Sequence, residues 1–167
     1  TACDVNGDGY SDIIAGLPNY NGGQSFEGRV VVFHGSASGL STSPDWISES
    51  NQANTNFGRS VSSAGDVNGD GFSDVIIGAS GYDNTETDEG AAYVFHGSAS
   101  GLSSSSDWTA ESNQAFANFG ISVSNAGDVN GDGYSDVVVG AYAYDDLAID
   151  AGAIFAYYGS ASGLNAS

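Results

Sequence analysis

The residues best suited to chemistry are Asp66, Asn68, Asp70 and Asp74, all within the nonapeptide "DVNGDGFSD". They hold positions 1, 3, 5 and 9, and alternate side chains of a tight loop can turn their oxygens toward one point. Gly69 and Gly71 supply the positive φ that such a turn demands. Three carboxylates converging without a cation would raise one another's pKa, and a hard divalent ion removes that strain. Ca²⁺ takes roughly six to eight oxygens at about 2.3–2.6 Å. These four side chains and the backbone carbonyl of Phe72 offer a nearly complete set. No His or Cys stands in the loop, which argues against zinc or copper, and Mg²⁺ demands a stricter octahedron with more retained water. An EF-hand or dockerin-type loop shares the opening but carries an acidic ligand at position 12 and runs into a helix. Position 12 here is Ala15, Ile77 or Val139, inside an apolar β-like run.

The same nine residues return, one aromatic exchanged, at Asp4 and Asp128, 62 residues before and after Asp66. Other landmarks keep that step. "GSASGL" fills residues 35–40, 97–102 and 159–164, "NFG" ends at Gly58 and Gly120, and "DW" falls at Asp45-Trp46 and Asp107-Trp108. A fixed period with fixed internal landmarks signals repeated supersecondary units.

Within a unit every element that must position the loop reads as β. "GRSVSSAG" (58–65) alternates like a half-buried strand, and "SDVIIGA" (73–79) is a short β-branched run suited to burial on both faces. "GAAYVFHG" (90–97) is a third strand, and the more polar "SDWTAES" (106–112) suits an outer edge. Gly, Asn, Ser and Asp clusters between them read as turns. Four strands in a unit of about 60 residues is the pattern of a β-propeller blade. The expected fold is therefore all-β, with blades of four antiparallel strands, one complete and two partial. Their bounds are a partial blade at 1–56, a full blade at 57–118 and a partial blade at 119–167. A propeller closes with roughly four to eight blades, so these units belong to a longer protein or to an assembling subunit.

Composition sets limits on function. The 167 residues include 21 acidic side chains, no lysine, and only Arg29 and Arg59 as fixed cations, for a net charge of −19. Such a charge repels nucleic-acid backbones and anionic lipid, so neither is an expected partner. An apolar fraction of 40 % with 19 aromatic residues excludes disorder. Cys3 is the single cysteine, which rules out an internal disulfide, and no run of 18 apolar residues exists for direct membrane insertion. No signal peptide is visible, but the chain opens in mid-repeat, so that says nothing about compartment.

Taken with Phe57-Gly58, Phe119-Gly120, Gly78-Ala79 and Gly140-Ala141, the acidic loops resemble the FG-GAP repeat family, known from the propeller of integrin α subunits. The resemblance covers essentially the whole chain. It departs where the family tripeptide reads "GLP" at 16–18, "GAS" at 78–80 and "GAY" at 140–142. It implies that each acidic loop joins the first two strands of a blade and holds Ca²⁺, three sites in all. The first site is then Asp4, Asn6, Asp8, Asp12 and the carbonyl of Tyr10. The third is Asp128, Asn130, Asp132, Asp136 and the carbonyl of Tyr134. Nine of the 21 acidic residues fall in these loops, and three ions would bring the charge from −19 to −13.

Other residues read differently. His34 and His96 close the third strand, yet the third unit has Tyr158 there and no Ser or Cys nucleophile is placed nearby, so they read as structural. Trp46 and Trp108 read as blade-packing residues, with sugar stacking as the alternative. "TETDEG" (85–90) reads as a solvated loop. Loops joining the second and third strands keep their length but vary in sequence, and Tyr20, Tyr82, Tyr142 and Tyr144 in them are candidate contact residues. Weak calcium modules work in extracellular millimolar Ca²⁺. The reading is an extracellular, non-catalytic, calcium-binding propeller module for adhesion, whose partner is a protein or a glycan. A lectin, a self-assembling scaffold and an accessory module of a secreted hydrolase or lyase are the rivals.

Overall fold

A computed structural model describes residues 2–146 and 148–165. Every regular element among them is a strand. The first sheet contains β1 (Ala2–Cys3), β2 (Asp12–Leu17), β3 (Arg29–Phe33) and β4 (Trp46–Glu49). The second contains β5 (Ser60–Gly65), β6 (Asp74–Ala79), β7 (Ala91–Phe95) and β8 (Trp108–Glu111). The third contains β9 (Phe119–Gly127), β10 (Asp136–Ala141) and β11 (Ala153–Tyr157). Within each sheet the strands follow chain order and every neighbour runs antiparallel. These are propeller blades, the middle one whole and the flanking ones partial.

Burial explains the strand compositions. All six residues of β6, "DVIIGA", are buried, because the middle blade is covered on both faces. The equivalent β2, "DIIAGL", has only one blade beside it and alternates between buried and exposed. Ile77, Val75 and Ala79 face the first blade, whereas Ile76, Ala92 and Val94 face the third. Polar β4 and β8 pair on one side only and form the outer edges.

Each blade is fastened to the next by three devices that recur at the 62-residue step. Phe57 and Phe119 are buried in the cores between blades, and the glycine after each presses on a glycine of the preceding blade. A Cβ on Gly16 would collide with the carbonyl of Gly58, and one on Gly78 with that of Gly120. Hence the Phe-Gly and Gly-Ala landmarks: two backbones touch where no side chain fits. Next, Trp46 stacks edge-on against Phe95 at 4.9 Å between centroids and donates its indole N–H to the Ser103 carbonyl at 2.9 Å. Trp108 does the same to Tyr157 and Asn165. Both tryptophans are thus packing residues between blades. Finally, the Gln52 side chain both donates to and accepts from the backbone of Asp83, as Gln114 does with Asp145.

Candidate metal centre

The acidic nonapeptides span residues 4–12, 66–74 and 128–136, and each links the two inner strands of its blade. In the first, Asp4 curls the loop by itself. Its Oδ1 accepts the N–H of Gly7 at 2.8 Å and of Asp8 at 3.2 Å, and its Oδ2 accepts that of Gly9 at 2.9 Å. Gly7 and Gly9 have φ of 69° and 86°, the left-handed region in which a side chain is strained. Asn6 accepts from the Asp8 N–H and donates its amide to Asp8 Oδ2, while Asp8 Oδ1 accepts the Tyr10 N–H. Positions 1, 3 and 5 are therefore drawn together around one turn of backbone.

The other two loops repeat this bond for bond. Asp66 gathers the N–H groups of Gly69, Asp70 and Gly71 at 2.6, 3.1 and 2.9 Å. Asp128 gathers those of Gly131, Asp132 and Gly133 at 2.7, 3.1 and 2.8 Å. Asn68 and Asn130 tie to Asp70 and Asp132, which accept from the N–H of Phe72 and Tyr134. The Gly133 N–H, ahead of the others, holds the Asp128 carboxyl below its ordinary value. Mutual repulsion, expected to raise such a carboxyl, is there outweighed by amide dipoles.

Position 9 sits elsewhere. Asp12, Asp74 and Asp136 are fully buried at the start of the second strand. Asp12 Oδ2 accepts the Val5 N–H and its Oδ1 the Gly35 N–H, both at 2.8 Å. Asp74 takes Val67 and Gly97, and Asp136 takes Val129 and Gly159, at 2.8–2.9 Å. Each of these carboxylates ties its loop to the end of the third strand. Burial pushes the Asp74 carboxyl up to about 6, opposed by the Gly97 and Val67 N–H groups. Among the described residues no three His, Cys, Asp or Glu side chains are gathered closely enough to hold a metal ion. The donor set nevertheless fits a hard cation: carboxylate, amide and backbone oxygens only, on a loop already curled and open to solvent at positions 4 to 6.

Neighbouring loops touch. The Asp4 and Val5 carbonyls accept the Ser73 and Ser98 N–H groups at 3.0 Å, and Asp66 and Val67 accept from Ser135 and Ser160 in the same way. A Cβ on Gly7 would lie 2.7 Å from Phe72 Cε1, and one on Gly69 would lie 2.6 Å from Tyr134 Cε1. The aromatic at position 7 thus lies over the preceding loop.

The remaining sequence candidates have mostly internal partners. The Nε2 atoms of His34 and His96 are enclosed without a hydrogen-bond partner, against Gly101 and Gly163 of the next blade. Tyr82 packs edge-on against Tyr93, Tyr144 against Phe155, and Tyr20 lies under Arg29, whereas Tyr142 is exposed. Glu27 and Glu89 are functional in a structural sense and were not foreseen. Both are fully buried, although Glu89 falls in the run expected to be solvated. Glu27 accepts the N–H groups of Gly22, Gly23 and Gln24, and Glu89 those of Asn84 and Thr85. The signal was a glutamate repeated 62 residues apart just before a glycine, lost as Ala151 in the third unit.

Comparison with known proteins places these loops and blades in a family. The FG-GAP repeat model matches residues 1–33, 57–95 and 119–157. The chain belongs to the FG-GAP repeat family. It is 35 % identical over 153 residues to integrin alpha-4 of Xenopus laevis, covering 89 % of this chain and 14 % of that protein. Integrin alpha-6 of Homo sapiens is 33 % identical over 152 residues, 91 % of this chain and 13 % of its own length. Phosphatidylinositol-glycan-specific phospholipase D of Bos taurus is 34 % identical over 172 residues, 97 % of this chain and 20 % of that enzyme. The FG-GAP units here thus span a fifth or less of these relatives. No helix of the described residues is long and apolar enough to cross a membrane.

Proposed function

We propose that this chain is a calcium-stabilised, extracellular FG-GAP propeller module that binds a protein or glycan partner in adhesion and catalyses nothing itself. Its blades are bounded at 1–56, 57–118 and 119–167. Asp4, Asn6, Asp8, Asp12 and the Tyr10 carbonyl would hold one Ca²⁺, with the equivalent residues from Asp66 and Asp128 holding two more. Bound there, the ion supplies positive charge and oxygen coordination that pin the two inner strands of a blade together. The observation that carries this reading is the threefold recurrence of one loop geometry, each with its first carboxylate closed on three backbone N–H groups. Similarity to integrin α chains supports the adhesive and extracellular assignment. Enclosure of both histidine Nε2 atoms supports a binding role over a catalytic one.

Isothermal titration of the chelator-treated chain with Ca²⁺ tests it. The expected result is three ions per chain and a melting temperature that falls when EDTA is added. Heat-free titration together with unchanged melting would remove the cation from the account.

A further inference from the structure

The middle blade shows what each face of a blade is built to meet, because both of its faces are covered. The outer faces of the first and third blades carry the same positions with nothing over them. On the first blade Leu17 stands where Ala79 is fully buried, and Ile13 where Val75 is; both are exposed. On the third, Ile154 is 80 % exposed where Ala92 is fully buried, and Val129 is 58 % exposed where Val67 is fully buried. Of the twelve large hydrophobic residues exposed among the described residues, nine lie on these two faces. Apolar surface concentrated in this way marks a binding face.

We propose that two copies of this chain close head to tail into a six-bladed ring, the third blade of each seating the first blade of the other. The two faces are unlike and complementary, and the two blade junctions within the chain set the pairing. At those junctions Ser73 and Ser98, then Ser135 and Ser160, donate N–H groups to the Asp and Val carbonyls that open the preceding loop. The equivalent donors, Ser11 and Ser36, and the equivalent acceptors, Asp128 and Val129, have no such partner among the described residues. One end offers donors and the other acceptors.

The ring contacts match in the same way. Phe72 covers Gly7 and Tyr134 covers Gly69, but nothing lies within 4 Å of the Cβ position on Gly131, while Tyr10 is 45 % exposed. The partner's Tyr10 closes the third loop as Phe72 closes the first. A cleft of about 610 Å³ bordered by Gly140, Tyr142 and Ile154 lies on this open face. Heterologous contacts form either rings or open filaments. Three sheets per chain give six blades for two copies, inside the range of roughly four to eight at which propellers close, whereas three copies would exceed it.

The test is the mass of the 167-residue chain by light scattering in Ca²⁺, alone and as Ile154→Asp and Leu17→Asp. Both substituted residues are exposed in the single chain, and circular dichroism checks that the variants fold. The expected mass is twice 16.8 kDa for the unaltered chain and 16.8 kDa for each variant. A mixture of the two variants should associate more than either alone, because one intact junction can form between them. A monomeric unaltered chain overturns the proposal and leaves these faces as seats for blades of a longer polypeptide. A dimer that survives either substitution is not head to tail and overturns it equally.

Discussion

The phenyl ring of Phe72 lies on Gly7 across the junction between the first and second blades, so close that a Cβ on Gly7 would stand 2.7 Å from Cε1. Gly9, two residues on, has a similarly positive φ of 86° but no atom within 4 Å of its Cβ position. The pair separates backbone strain from crowding.

Gly9→Ala should cost only the left-handed strain, about 1–2 kcal/mol. Gly7→Ala bears the same strain and must also displace the ring, adding about 1–3 kcal/mol. Urea denaturation of the two variants checks this, and equal midpoints would mean that the ring yields freely.

Position 1 and position 5 of a loop should answer differently to truncation. Asp66 closes three backbone N–H groups whether or not an ion is bound, while Asp70 accepts mainly from Phe72 and Asn68. Asp70→Ala is expected to lower Ca²⁺ stoichiometry from three to two with a small change in melting under EDTA. Asp66→Ala should lower both, the metal-free loss being about 2–3 kcal/mol from unpaired amides and a lost charge-assisted acceptor. Calorimetry with and without chelator distinguishes the two patterns.

Much of this was legible in advance, and the gaps have physical causes. The 62-residue step disclosed the blades and strands, because equivalent residues meet equivalent neighbours. The loop residues could be named for their oxygens, yet not the second duty of Asp12. Its bond to the Gly35 N–H joins residues 23 apart, and nothing local announces it. Glu27 was hidden for a related reason: a charged residue beside glycines looks solvated until three amides are seen to fold over it. The Phe-Gly and Gly-Ala landmarks could be read only as family marks until Gly16 and Gly58 were found in contact.

Glu27→Ala should therefore be among the more damaging single changes outside the cores. It frees the N–H groups of Gly22, Gly23 and Gln24 in a partly buried loop, for a loss of about 2–3 kcal/mol. Faster proteolysis within residues 19–28 should accompany the lower denaturation midpoint. A midpoint within about 0.5 kcal/mol of the unaltered chain would show that water replaces the carboxylate without penalty.

Alkali should unfold the protein in part through Tyr93. Burial, with the neighbouring Tyr82 and Glu111, raises its phenol above the ordinary value of 10.0. Its contribution is fully present below that value, where both folded and unfolded chains keep the proton. Above it the unfolded phenol ionises first, so stability falls with rising pH by about 1.4 kcal/mol per unit until the folded phenol also ionises. Tyr93→Phe should flatten this part of the profile, measured as denaturation midpoints between about pH 9 and pH 12.

Trp46 and Trp108 each bury an indole N–H in a carbonyl of the following blade, one at each junction. They are the chain's only tryptophans, so its intrinsic fluorescence is a pair of optical gauges mounted on the two seams. With Trp108→Phe the emission reports the first seam alone, and with Trp46→Phe the second. A red shift in one and not the other would record a single blade peeling away, resolved in time, with no label attached.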